Sequence, residues 1–142
     1  EFEATLRGLN DPAAAKKDAL VARLGALAWK ADTYDPIPGE ALESDLVGPR
    51  GDVFESVWGE AARMRRSGEL LDLGGKIRCP VAAIHGDYDP HPAEGVEKPL
   101  SSVLGCFRFI RLENCGHRPW IERQARCAFY RVLEEELDRG GR

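Results

Sequence analysis

Apolar side chains recur at helical spacing through the first half of the chain. Asp11 and Pro12 form a typical helix start, because an aspartate can cap free amides and proline suits the first helical position. The segment "TYDPIPGE" contains two prolines and a glycine, and it predicts a loop after Asp32. Two apolar stripes flank this loop: Leu20, Leu24, Leu27 and Ala31 before it, and Val53, Val57, Ala61 and Met64 after it. The pattern predicts two helices, of which the second ends at Ser67-Gly68.

The hydrophobic pattern changes in the second half of the chain. "PVAAIHG" is continuously apolar, which predicts a strand buried on both faces. "AEGVEKPLSSVLG" predicts a helix that Pro99 disturbs, and "CFRFIRLEN" predicts a second strand. A last helix is indicated by apolar residues near one face: Ile121, Ala125, Ala128, Val132 and Leu137. The order strand, helix, strand, helix predicts an α/β fold with a right-handed parallel crossover.

Composition narrows the class of protein. The chain has 142 residues, of which 43% are hydrophobic and 31% charged, and its net charge is −4. This length suits one domain, and no apolar run reaches the roughly 20 residues of a membrane-spanning helix. Without a basic field, we expect neither nucleic acid nor a membrane as a partner. The cysteines lack C-x-x-C spacing, which favours a cytoplasmic protein with reduced, buried thiols: Cys79, Cys106, Cys115 and Cys127.

Two histidines and two aspartates follow the first predicted strand within seven residues. They are His85, Asp87, Asp89 and His91. One interpretation is a metal site, because alternating residues share one face of a continued strand. Gly86 and the prolines at 90 and 92 argue against a continued strand, and four ligands from so short a segment are crowded. The other interpretations are an active-site acid at the end of a strand and a polar loop without function.

The polarity of the strands favours the active-site interpretation. Ligand sites in open parallel sheets lie outside the carboxyl ends of the strands. Asp87 and Asp89 follow the first strand at that end, and His117 in "ENCGHRPW" follows the second. Such a carboxylate and imidazole can form the pair in which the acid orients the base that activates a nucleophile. Gly116 allows a close approach of the backbone or a positive φ beside His117.

These segments resemble the C-terminal part of an α/β-hydrolase-fold enzyme. "CPVAAIHGDYDP" carries a G-x-x-D turn from Gly86 to Asp89, and "FRFIRLENCGHRPWIER" carries G-H-x-x-x-x-E from Gly116 to Glu122. The family order is nucleophilic serine, acid, histidine. The resemblance implies that Asp89, rather than Asp87, is the acid and that His117 is the base. It also implies a helical lid and return helix over residues 1–67, followed by a β-α-β-α part of the parallel sheet over residues 68–142.

The chain departs from the family pattern in having no G-x-S-x-G elbow and no oxyanion segment. Its serines lack a strand–turn–helix context, and Cys115 is interpreted as a packed thiol rather than a nucleophile. The resemblance therefore implies that the nucleophile belongs to an N-terminal half of the same enzyme, preceding Glu1. We expect a hydrolase for a small-molecule ester or acyl substrate, without cofactor or metal. This chain alone should be inactive, and its exposed sheet edge favours a homo-oligomer.

Two other functions stay open, namely a non-catalytic binding module that uses the lid helices and a metal-dependent hydrolase at the histidine–aspartate cluster. Among the remaining residues, His85 is expected to be a hydrogen-bonded structural residue and His91 to shape the turn. Trp120 is a candidate for the substrate pocket, and packing under the last helix explains it equally well.

Overall fold

The computed structural model describes residues 1–11, 17–39 and 51–140, which form an α/β arrangement with a small parallel sheet. Its helices and strands, in chain order, are α1 (Phe2–Leu9), α2 (Lys17–Asp32), α3 (Gly51–Ser67), α4 (Glu69–Asp72), β1 (Val81–Gly86), α5 (Glu94–Val103), β2 (Phe107–Leu112) and α6 (Arg126–Gly140). Short 3₁₀ turns cover Leu73–Lys76 and Pro119–Ile121. No helix in the described part of the chain combines the length and the apolar character needed to cross a membrane.

The two predicted strands form a parallel pair. Their register runs from Val81 opposite Phe107 to Gly86 opposite Leu112. The carboxyl ends of β1 and β2 therefore lie side by side, as the order of elements predicts. A cluster of Leu112, Cys115 and Ala125 forms the centre of the core. Side chains from both strands and from α6 pack against it: Ile84, Ile110, Ala128, Phe129 and Val132.

The two helices predicted in the first half are present, and α2 ends at Asp32 as expected. The second, α3, ends at Ser67 because Gly68 adopts a positive φ of 84°, a conformation that glycine tolerates best. The start signal at Asp11-Pro12 extends outside the described residues. An additional helix, α1, packs against α2, although no apolar stripe predicted it.

The expectations about the burial of β1, about the last helix and about the burial of the thiols are wrong. β1 is not buried on both faces: Ala82 is exposed and Ile84 half-buried, because the described elements that pack against the sheet leave part of its faces uncovered. The last helix begins at Arg126 rather than at Ile121, and Leu137 on its predicted apolar face is exposed. Of the four thiols, one is buried and three are exposed; the exposed ones are Cys79, Cys106 and Cys127.

We expect the purified chain to self-associate through the sheet, because within the described residues each strand pairs with the other alone. An unpaired strand edge presents free N–H and C=O groups that a second copy can pair. Light scattering should therefore give a mass above the 15.7 kDa of one chain. A monomeric mass at all concentrations, with the circular dichroism spectrum of a folded protein, would contradict this expectation.

Candidate active site

The loops that follow β1 and β2 are hydrogen-bonded to each other. The amide of Asp87 donates to the carbonyl of Leu112 at 2.9 Å, and that of Tyr88 donates to the carbonyl of Cys115 at 2.9 Å. The Asp87 carboxylate in turn accepts from the amide of Cys115 at 3.1 Å. A Cβ at Gly86 would lie 2.6 Å from the carbonyl carbon of Cys115, so glycine is required where the loops meet.

Asp89 and His117 meet across this junction of loops. Asp89 Oδ2 lies 2.7 Å from His117 Nδ1, which is the contact predicted from strand polarity, and the carboxylate that makes it belongs to Asp89 rather than to Asp87. Because a carboxylate only accepts, Nδ1 is the donor in this contact, and in the neutral form of the ring Nε2 is then the acceptor. The Asp89 side chain is 5% exposed and that of His117 is 49% exposed. The pair therefore has a buried acid and an imidazole open to solvent.

Asp89 also holds His91 through its second oxygen. Oδ1 accepts from the backbone amide of His91 at 2.9 Å and lies 2.8 Å from Nδ1 of the same residue. Burial opposes ionisation of Asp89, but the amide of His91 and the imidazoles of His117 and His91 outweigh it, so the pKa of Asp89 is lowered. His91 thus shapes the turn, as expected, and its ring also contacts the Asp89 carboxylate.

The four residues considered as metal ligands from the sequence do not form one cluster. Asp87 is directed to the amide of Cys115. His85 is buried, and its Nδ1 lies 2.8 Å from the carbonyl of Gly86, in keeping with a structural role. The group that could hold an ion in the described part of the chain consists of Asp89, His91 and His117, with one donor atom from each within 4.8 Å of the others.

Glu122 joins the histidine loop to the segment that follows α2. Its side chain is fully buried, and its two oxygens accept three backbone amide hydrogens. The donors are Tyr34 at 2.8 Å, Asp35 at 2.7 Å and Gly116 at 3.2 Å. A carboxylate removed from water needs such donors, since a buried charge without partners is strongly destabilising. We call these contacts the Glu122 junction.

Further contacts extend the Glu122 junction on both sides. The amide of His117 donates to the carbonyl of Asp32 at 2.6 Å, and the amide of Ile37 donates to the carbonyl of Ile121 at 2.8 Å. A Cβ at Gly116 would lie 2.6 Å from Glu122 Oε1 and 2.9 Å from the Cα of Thr33. Close approach, rather than a positive φ, is therefore the reason for glycine before His117.

The other residues considered as functional have packing contacts. Trp120 is exposed and its ring centroid lies 5.9 Å from that of Phe129 in α6, so it packs beside the last helix; its role toward substrate stays a prediction. Cys115 is fully buried, and burial together with the nearby carboxylates of Glu122, Asp87 and Asp89 raises the pKa of its thiol to about 12. That thiol is un-ionised at neutral pH and is a packed residue, as expected.

A cleft of about 640 Å³ lies elsewhere, between α1 and α3, where Leu6, Leu9, Phe54 and Trp58 line it. It contains neither Asp89 nor His117. The candidate active site is therefore identified by its position at the strand ends and by the hydrogen bonds of Asp89. The volume of a cleft does not identify it, because the described cleft lies elsewhere.

Comparisons with protein-family models, with curated proteins and with solved structures found no match. The hydrolase resemblance therefore rests on the two sequence motifs.

Substituting Glu122 tests the importance of the Glu122 junction. Glu122→Gln replaces one accepting oxygen with an NH₂ group that faces a backbone donor, so we expect the free energy of unfolding to fall by about 2 kcal/mol or more. Urea unfolding followed by circular dichroism measures the loss. Glu134→Gln, on an exposed position of α6, is the matched control and should be close to wild type. Equal stability of the two variants would contradict a structural role for Glu122.

The lowered pKa of Asp89 predicts the pH dependence of stability. A group whose pKa is lower in the folded state stabilises the fold fully above its unfolded pKa, about 3.9, and loses that contribution as pH falls through the folded value. Between about pH 5 and about pH 2, Asp89→Asn should therefore lose less unfolding free energy than wild type. Asp138→Asn, on an exposed position of α6, should keep the wild-type slope. Parallel slopes for wild type and Asp89→Asn would disprove the assignment.

Proposed function

We propose that this chain supplies the acid and the base of an α/β-hydrolase-type enzyme that cleaves a small-molecule ester or acyl substrate. The observation that carries the proposal is the 2.7 Å contact between Asp89 Oδ2 and His117 Nδ1. It lies where the carboxyl ends of two parallel strands meet, which is where open α/β sheets hold their sites.

The geometry suits general-base catalysis. With its proton on Nδ1, His117 offers the lone pair of Nε2 to a nucleophile, and the imidazolium that forms is stabilised by the Asp89 carboxylate. Asp89 is fixed before reaction by the amide of His91 and is held largely out of water. A preorganised carboxylate in such surroundings interacts with the developing charge more strongly than a solvated one.

The nucleophile is proposed to come from an N-terminal half of the same enzyme. The chain has no G-x-S-x-G elbow. In the described ranges, the His117 ring is hydrogen-bonded to Asp89, and no serine, threonine or cysteine side chain hydrogen-bonds to it. The high pKa and full burial of Cys115 argue against that thiol as the nucleophile. The proposed triad is therefore a nucleophile from outside this chain, His117 and Asp89.

A non-catalytic binding module is the second candidate function. The cleft between α1 and α3 favours it, because apolar side chains form part of its lining beside polar and charged ones, and Trp58 is exposed there. Exposed aromatic residues at a concave surface are typical of binding sites. This alternative predicts that the gene product has no turnover that depends on His117.

The test uses the full product of the gene that encodes these residues. We expect a fluorophosphonate probe to label a serine outside residues 1–142 and p-nitrophenyl esters to be hydrolysed. Asp89→Asn and His117→Ala should each lower kcat by about four orders of magnitude while the fold is retained. Asp138→Asn is the control. Rates of the two variants within tenfold of wild type would contradict the catalytic assignment and favour the binding module.

The 142-residue chain by itself provides a second control. It holds a base and its orienting acid but nothing for the base to activate, so we expect it to hydrolyse p-nitrophenyl esters no faster than free imidazole at equal concentration. Faster turnover that His117→Ala abolishes would show a nucleophile within these residues.

A further inference from the structure

We propose that Asp89, His91 and His117 form a binding site for Zn²⁺. One carboxylate oxygen and one nitrogen from each imidazole lie within 4.8 Å of one another. A carboxylate with two imidazoles is a ligand set that zinc accepts, and three protein ligands leave a fourth position for water. This set differs from the four residues that the sequence suggested, because His117 replaces His85 and Asp87.

The donor atoms already converge on one carboxylate. Asp89 Oδ1 lies 2.8 Å from His91 Nδ1, Asp89 Oδ2 lies 2.7 Å from His117 Nδ1, and the two imidazole centroids are 5.1 Å apart. In tetrahedral zinc coordination, ligand atoms lie about 3.3 Å from one another. The two hydrogen bonds run to different oxygens of Asp89. An ion bound to one oxygen can therefore replace the hydrogen bond at that oxygen if it opens by roughly half an ångström, while the other imidazole turns from its own oxygen toward the ion.

The charges of the cluster favour a cation. The Asp89 side chain is largely buried, and its ion-pair partners in the described part of the chain are histidines, without a lysine or an arginine. A buried carboxylate that is not neutralised by a fixed cation attracts a divalent ion strongly. The His91 and His117 side chains are 65% and 49% exposed, so the ion has access and both rings have room to adjust.

The ligand types select zinc over the alkaline-earth ions. Mg²⁺ and Ca²⁺ prefer oxygen ligands throughout, whereas two imidazole nitrogens suit a first-row transition metal. His85 adds a polar group behind the site, with its Nε2 3.7 Å from Asp89 Oδ2. Neighbours of this kind help to orient the ligands of metal sites.

Zinc at this site would inhibit the enzyme, a consequence that rests on the proposed function. On Nε2 of His117 the ion takes the lone pair of the base; on Nδ1 it shifts the ring proton to Nε2. In either case His117 no longer accepts a proton from a nucleophile. His91 is then a regulatory ligand beside the catalytic pair.

The test measures zinc binding to the 142-residue chain by isothermal titration calorimetry. Because exposed cysteines also bind zinc, Cys79, Cys106 and Cys127 are first replaced by serine. We expect one ion per chain with micromolar affinity, and at least tenfold weaker binding in His91→Ala and in Asp89→Asn. Asp87→Asn, from the same loop, keeps an oxygen for the Cys115 amide and should bind zinc like the parent.

Circular dichroism checks that each variant is folded. Because the His91 side chain is exposed, we expect His91→Ala to fold, and this variant decides the test if Asp89→Asn unfolds. Absence of stoichiometric binding, or undiminished affinity in His91→Ala, would overturn the proposal. In the gene product, His91→Ala should raise the zinc concentration for half-inhibition at least tenfold, relative to its own uninhibited rate. Zinc binding to the chain without any hydrolase activity of the gene product would support the site and refute the enzyme.

Discussion

A fully buried carboxylate connects the helical half of the molecule to the sheet. Glu122 accepts amide hydrogens from Tyr34 and Asp35 on one side and from Gly116 on the other. Removing a carboxylate from water costs several kcal/mol, which backbone donors at hydrogen-bond distance offset when they are fixed in place. Those donors are fixed only if the segment after α2 and the loop after β2 keep their relative position. The burial of the Glu122 carboxylate and the position of the histidine loop therefore depend on each other.

The position of the His117 ring follows from this constraint. The amide of His117 is held by the carbonyl of Asp32, and Gly116 lies too close to Glu122 and Thr33 for any side chain. On the opposite side, the acid loop is fixed by its own hydrogen bonds to Leu112 and Cys115. Hydrogen bonds thus fix the backbone of the two loops that carry Asp89 and His117, whose side chains lie 2.7 Å apart, and a fixed geometry of this kind favours proton transfer.

The sequence predicts the parts of this arrangement that depend on local pattern. Apolar periodicity places β1, β2 and the helices between and after them, and the polarity of parallel strands then brings Asp89 beside His117. Burial is predicted less well. A continuous apolar run such as "PVAAI" indicates that a strand can be buried on both faces, but the neighbours that bury it are a tertiary property. Ala82 is exposed here because too few described elements cover β1.

For a related reason, the sequence does not predict the Glu122 junction or the contact between the His91 ring and Asp89. The amides of Tyr34 and Asp35 are more than 80 residues from Glu122 along the chain. Because almost every residue has a backbone amide, no residue type indicates which amides Glu122 will contact. One signal was present: Glu122 ends the G-H-x-x-x-x-E pattern in the sequence, although that pattern does not indicate which amides its carboxylate accepts from. His91 was expected only to shape the turn. Its contact with Asp89 depends on a side-chain rotation that spacing cannot fix.

The proposed enzyme would need to cover two exposed features of the described residues, namely the His117 ring and the unpaired edge of the sheet. An imidazole in contact with bulk water transfers protons to solvent, and electrostatic stabilisation of a transition state is weak where the dielectric constant is high. The proposed catalysis needs a cover over this ring, together with a nucleophile facing Nε2. Additional strands beside the present sheet would bring further loops to the carboxyl edge at which Asp89 and His117 meet, and those loops could supply both. In the proposed enzyme, one neighbour would therefore serve both the strand edge that is unpaired among the described residues and the exposed imidazole. The proposed zinc site differs in this respect, because its three ligand residues lie close together within this chain and an ion reaches them from water.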